Sequence, residues 1–173
     1  MSPASSCNKR LKASALALLL GVASASAFAL EYRSVTEAAV MYDAPSAKAK
    51  PLFVVLSGTP VEVVVSLDGW VKVRDVRGDL VWIEKKFLAE SVQPGQPGQS
   101  GHKRTLIVRA ERAQIRAAGD DKAALVFDAE RDVILELADG TPGASAAVPE
   151  GWLKVKHRDG QSGFVRLTQV WGY

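Results

Sequence analysis

The sequence has almost no cysteine. Its one thiol, Cys7, lies ahead of the first apolar run, inside a stretch with the layout of a cleaved leader. Beyond that stretch, disulfides, thiol nucleophiles and thiolate metal sites are excluded. Histidine is nearly as scarce. His102 and His157 stand far apart in the chain, and two isolated imidazoles make no metal site, so neither metal nor cofactor is expected. A glycine-rich phosphate loop, a Gly-x-Ser-x-Gly elbow and a His-Glu-x-x-His helix are all missing. The acidic clusters Asp120-Asp121 and Glu130-Arg131-Asp132 remain. Paired-carboxylate chemistry would need a cleft between them. The expectation is a protein that is not an enzyme.

Long apolar runs are missing too. One extends from Leu11 or Ala13 to about Val22, roughly ten residues where a membrane helix needs roughly 20. It follows Lys9, Arg10 and Lys12 and leads into Ala27-Phe28-Ala29. That is a charged start, an apolar middle and a small-x-small cleavage site. Residues 1–29 are therefore expected to be a signal peptide, removed after Ala27 or Ala29. The product would be periplasmic or secreted, with no stable membrane insertion. Cys7 precedes the apolar run, whereas a lipidated cysteine would follow it.

A surplus of one charge sign is also absent once the leader is set aside. The whole chain holds 22 Lys+Arg and 19 Asp+Glu, and the leader takes three of the former and none of the latter, leaving 19 against 19. The pI near 9.1 belongs largely to the leader. A nucleic-acid partner would call for a basic face along phosphates, and none is expected.

What the sequence does have is a phrase written twice. Residues 69–83 run GWVKVRDVRGDLVWI and residues 151–165 run GWLKVKHRDGQSGFV. The segments before them also align. Leu52-Phe53-Val54 matches Leu125-Val126-Phe127, and Val61 to Val65 matches Val133 to Leu137. Between the halves, SVQPGQPGQSG (91–101) has linker composition, without charge and rich in Pro and Gly. The organisation expected is a first domain over 30–90, a linker over 91–104 and a second domain over 105–173. Two copies indicate a duplication and not a solenoid.

The segments are short and valine-rich, and turn residues separate them: Asp43-Ala44-Pro45, Ser57-Gly58-Thr59-Pro60, Arg77-Gly78-Asp79 and Asp159-Gly160. Each half is expected to form about five strands. Lys122 to Glu130 has some helical character, but its aligned partner at 50–58 does not. The fold class is all-β: two tandem small barrels, whose closure removes exposed edges.

Ala39-Val40-Met41-Tyr42-Asp43-Ala44-Pro45-Ser46 resembles the opening of bacterial SH3-like domains. Val61-Glu62-Val63 and the two Gly-Trp-x-Lys-Val stretches, at 69–73 and 151–155, are similar to later family motifs. Gly163-Phe164-Val165 resembles the closing strand, and Val81-Trp82-Ile83 resembles it with valine in place of glycine. The resemblance implies two tandem SH3-like barrels. It also implies a non-catalytic binding role, with peptidoglycan or an envelope protein or peptide as partner. The proline-peptide groove of eukaryotic relatives is not matched, since paired tryptophans and an acidic stretch after Tyr42 are lacking.

Strand alternation sorts the repeated phrase. Val71, Val73, Val81 and Ile83 should point inward. Trp70, Lys72 and Trp82 should share the outer face, with Lys72 beside Trp82 if 74 pairs with 80. Trp152, Lys154 and Phe164 should do the same in the second copy. The candidate ligand-binding residues are therefore Tyr42, Trp70, Lys72, Trp82, Trp152, Lys154 and Phe164. Two readings stay open. Either the aromatic and basic side chains form a shelf for a sugar, a carboxylate or a peptide, or the tryptophans close the barrel ends under lysine stems. Function divides likewise between an envelope binding protein and a structural adaptor whose barrels pack together. A cell-wall-active enzyme is the remote third class. His157, in a hairpin turn, is expected to be solvated. Trp171 is a candidate for packing between the modules.

Overall fold

The computed structural model describes residues 30–90, 104–138 and 148–173. The expected leader over 1–29, the expected linker up to residue 103 and residues 139–147 lie outside the described residues. The chain is all-β, with two sheets and, among the described residues, no α-helix. The first sheet contains β1 (Glu31–Ser34), β2 (Ala39–Tyr42), β3 (Pro51–Val55), β4 (Pro60–Ser66), β5 (Trp70–Arg74) and β6 (Leu80–Glu84), in the order β1-β4-β5-β6-β2-β3. The second contains β7 (Thr105–Val108), β8 (Arg112–Arg116), β9 (Leu125–Glu130), β10 (Ile134–Leu137), β11 (Trp152–Lys156), β12 (Ser162–Arg166) and β13 (Val170–Trp171), in the order β13-β7-β10-β11-β12-β8-β9. Every pairing is antiparallel, and β7 to β12 repeat β1 to β6.

Each barrel thus has more strands than the five expected. The additions carry weak side-chain signals. Strand β1 reads Glu-Tyr-Arg-Ser and is held by backbone pairing along β4. Strand β13 has only two residues and pairs with β7. Its counterpart in the first barrel is a single bridge between Val35 and Leu88. A short 3-10 turn precedes each closure, at Lys85–Phe87 and at Leu167–Gln169. Lys122 to Glu130 ends in strand β9, as the alignment of the halves required.

Alternation fills both cores. Met41, Val61, Val71, Val73, Val81 and Ile83 are buried in the first, and Leu106, Ile115, Leu135, Leu153, Val155 and Val165 in the second. One layer is rebuilt between copies. At Gly163, a Cβ would come within 2.5 Å of Ile115 Cγ2 and 2.6 Å of the Arg116 carbonyl oxygen. The first barrel has Val81 at that register, opposite Val73 as Gly163 is opposite Val155. There the neighbouring strand supplies Met41, unbranched at Cβ, in place of Ile115. At 163 the Ile115 branch and the Arg116 backbone oxygen together exclude a side chain, whereas the first barrel accommodates Val81 beside Met41.

The barrels touch through β1 and β4 on one side and β7 and β13 on the other. The Thr105 hydroxyl donates to the Gly58 carbonyl at 2.6 Å, so the Ser34 hydroxyl donates to Thr105 Oγ1, at 2.7 Å. Ser34 and Thr105 are both buried. Trp171 meets Tyr32 edge to face, with centroids 5.0 Å apart, which places it between the modules. Tyr32 lies opposite Glu62 in the ladder. Burial, and then the Glu62 carboxylate, raise the Tyr32 phenol above its ordinary value.

Two outcomes are expected. Thr105→Val removes both hydroxyl contacts at equal volume and should cost about 1–2 kcal/mol in urea unfolding. The raised phenol of Tyr32 favours the folded state while neutral, so its contribution is present below the ordinary tyrosine range and fades as pH climbs through the higher folded value. Unfolding midpoints measured above pH 9 should fall less steeply in Tyr32→Phe than in wild type.

Candidate functional site

The phrase Gly-Trp begins β5 and β11 for a backbone reason. Gly69 and Gly151 have φ of 76° and 80°, the left-handed region where a side chain is strained. The turn folds back, with the Gly69 carbonyl accepting from the Lys85 N–H and the Gly151 carbonyl from the Leu167 N–H. Each tryptophan is therefore anchored at the first position of its strand, beside the 3-10 turn.

In the first barrel the register places Lys72 opposite Trp82 and Trp82 opposite Tyr42. Three adjacent strands thus contribute one row of outer side chains. Lys72 Nζ lies 5.8 Å from the Trp82 ring centroid, within cation–π range. Trp70 meets Tyr42 edge to face, centroids 5.5 Å apart at 84°. All four residues are half-buried. Glu84, opposite Trp70, binds the Lys86 ammonium at 2.8 Å and gives the row a charged border. The structure thus brings Tyr42, Trp70, Lys72 and Trp82 together on one outer face.

The second barrel keeps the register but changes the surface. Lys154 faces Phe164, and Phe164 faces Arg116, which stands where Tyr42 stands in the first copy. The Arg116 guanidinium donates to the Ala123 carbonyl at 2.7 Å and to Gln114 Oε1 at 2.6 Å. Arg166 replaces Glu84 and lies over Trp152, its Cζ 4.7 Å from the ring centroid. Both prongs of that guanidinium's fork engage Asp121: Nε donates to Oδ1 at 2.8 Å, and Nη2 bonds Oδ2. These hydrogen bonds hold the Asp121 carboxyl below the ordinary range. Trp152 is 6% exposed. It lies on the outer face, as the alternation required, yet under a cover that the alternation did not reveal. Lys154 and Phe164 are half-buried.

The model of the bacterial SH3 domain matches the sequence over residues 35–90 and again over 109–172. The chain belongs to the bacterial SH3 domain family. Its two SH3 domains also find similar solved structures. They include NlpC2 from Trichomonas vaginalis (12% identity over 83% of this chain and 48% of that one, TM-score 0.33) and NlpC1 from the same organism (15%, 86% and 48%, TM-score 0.34). A third is an NlpC/P60 family protein from Bacillus cereus ATCC 10987 (16%, 82% and 56%, TM-score 0.33). The chain spans about half the length of these structures. No curated protein is similar enough to count as a match.

Two features of the SH3 domains are not evident from the sequence. The first is the commitment of Arg116 and Arg166: the aligned halves set them against Tyr42 and Glu84, but the partners that hold the two guanidiniums show only in the fold. The second is the hairpin end between the paired strands. In the first domain, buried Asp75 closes it, and its Oδ1 accepts from the N–H groups of Arg77 at 2.9 Å and Asp79 at 2.8 Å. His157 holds that place in the second. Contrary to the expectation of a solvated side chain, it is half-buried, with its ring 5.8 Å from Phe127 and Nδ1 3.2 Å from Asp159 Oδ2. The Asp159 N–H points at His157 Nδ1 from 3.4 Å, in the place of the N–H contacts that Asp75 accepts in the first domain. His102 lies outside the described residues. In the first acidic cluster Asp120 accepts from the Lys122 N–H and Asp121 binds Arg166; in the second, Arg131 lies 3.5 Å from Glu111. No group of three potential metal ligands occurs among the described residues. None of their helices is long and apolar enough to cross a membrane.

Asp75→Ala should lower stability by about 2 kcal/mol, because two N–H groups lose a charged acceptor. Asp75→Asn, which keeps one carbonyl oxygen, should lose less. Chemical denaturation of the two variants side by side checks the order.

Proposed function

We propose that the chain is a non-catalytic binding protein of the cell envelope, exported and then periplasmic or secreted, that recognises peptidoglycan through its first barrel's aromatic shelf. One observation carries this reading: Tyr42, Trp82 and Lys72 stand in a row across three adjacent strands, with Trp70 braced against Tyr42. Rigid strands position the row, so little entropy is lost when a partner docks. An aromatic face suits the apolar face of a sugar or a peptide side chain, and the ammonium beside it suits a carboxylate. Peptidoglycan carries both chemistries. Membership of the bacterial SH3 family supports the same reading.

A structural adaptor is the second reading, and the contact between the barrels favours it. The relay from Ser34 through Thr105 to Gly58, with Trp171 on Tyr32, suits a rigid two-barrel spacer gripping another envelope protein.

Co-sedimentation of the purified protein with isolated sacculi separates the two. The bound fraction should drop at least about fivefold in Trp82→Ala and about threefold in Lys72→Gln, with melting temperatures showing that the fold survives. A folded wild type that stays in the supernatant removes the wall-binding reading. Crosslinking in intact cells would then identify the protein that the adaptor holds.

A further inference from the structure

We propose that the second barrel's shelf is shut over Trp152 by its own chain, so that ligand binding belongs to the first barrel alone. This rests on reading the shelf as a ligand site. The duplication supplies an internal control, since the same register builds both surfaces while their side chains and covering differ.

Three elements cover Trp152. Arg166 lies across its ring, held there by Asp121 from the loop between β8 and β9. That loop also brings Gly119 against the indole. A Cβ on Gly119 would come 3.2 Å from Trp152 Cγ and 2.8 Å from Pro149 Cγ, so only a bare backbone fits between proline and ring. Pro149 is fixed in turn, its carbonyl accepting from the Trp152 N–H at 3.2 Å. Proline, glycine and guanidinium thus fill the space that a ligand ring would take.

The first barrel has none of these parts in place. Glu84 stands at the Arg166 position, and a carboxylate gains nothing over the negative face of an indole. Its own ion pair with Lys86 draws it to the border. Ser66-Leu67-Asp68 stands where the second half has the longer stretch from Asp139 to Glu150 that contains Pro149. Trp70 meets Tyr42 in a T-shaped contact, and it is half-buried where Trp152 is buried. The substitution of Tyr42 by Arg116 completes the change, because that guanidinium is committed to Ala123 and Gln114.

The clasp is tested without any ligand. All four tryptophans are labelled as 5-fluorotryptophan in the full chain, and Trp→Phe variants assign the fluorine resonances. A soluble gadolinium chelate should broaden Trp70 several-fold more than Trp152. Asp121→Ala, which frees Arg166 without touching the core, should raise the broadening of Trp152 toward that of Trp70. Equal broadening of Trp70 and Trp152 in the wild type overturns the proposal. Sacculi provide the second arm. Trp70→Phe should cut the bound fraction at least about fivefold, and Lys154→Gln should leave it within about twofold. The reverse pattern also overturns the proposal. If wild type ignores sacculi, the wall-binding reading fails alone, and the fluorine measurement still decides whether the second shelf is shut.

Discussion

In the pairing of β5 with β6, Val71 meets Ile83 and Val73 meets Val81, and this register leaves no freedom to the residues between them. Four buried side chains require one face of the hairpin, so Trp70, Lys72 and Trp82 must take the other. A slip of one residue would put tryptophan and lysine into the core and valine into water. The core therefore builds the shelf. Tyr42 joins it because β2 pairs with β6 at that one position, next to a bulge between Met41 and Tyr42 that re-aims the strand. The same irregularity recurs between Ile115 and Arg116 in the second copy. This corner of the scaffold was thus duplicated together with its irregularity.

The surface on that scaffold was then free to diverge. Nothing in the packing of Val71 or of its counterpart Leu153 depends on whether the outer residue is tyrosine or arginine, because outer and inner faces alternate independently. Exchanging glutamate for arginine opposite the tryptophan reverses the local electrostatics from repulsion to attraction with the indole face. One charge reversal, with a carboxylate in a neighbouring loop to hold the new guanidinium, converts an open aromatic into a covered one. Closure of this kind also brings stability, since it buries indole area that the first barrel leaves partly wet.

Much of the fold was legible in the sequence because valine alternation and turn glycines carry it. The pairing of Lys72 with Trp82 followed from a count across a hairpin. The first and last strands were not legible, since Glu31–Ser34 and Val170–Trp171 are held by backbone hydrogen bonds and have too few side chains to make a pattern. Of the candidate site, the outer face of each tryptophan was legible, but its exposure was not. Exposure depends on loops that come from distant sequence, here Gly119 and Asp121 reaching over Trp152. The role of His157 was hidden for a similar reason. A turn's demand for an acceptor shows in the geometry of its N–H groups and not in the residue type that answers it.

The exchange between Met41 with Val81 and Ile115 with Gly163 bears on how two such copies persist in one chain. Tandem repeats in a gene invite recombination, which tends to make them identical or to splice half of one onto half of the other. Here a splice within a barrel would join Ile115 to valine, which collides with its branched carbon, or Met41 to glycine, which leaves a hole in the core. Either hybrid starts life destabilised. Each core layer is thus matched within its own barrel, and the outer face can vary over it without disturbing that match.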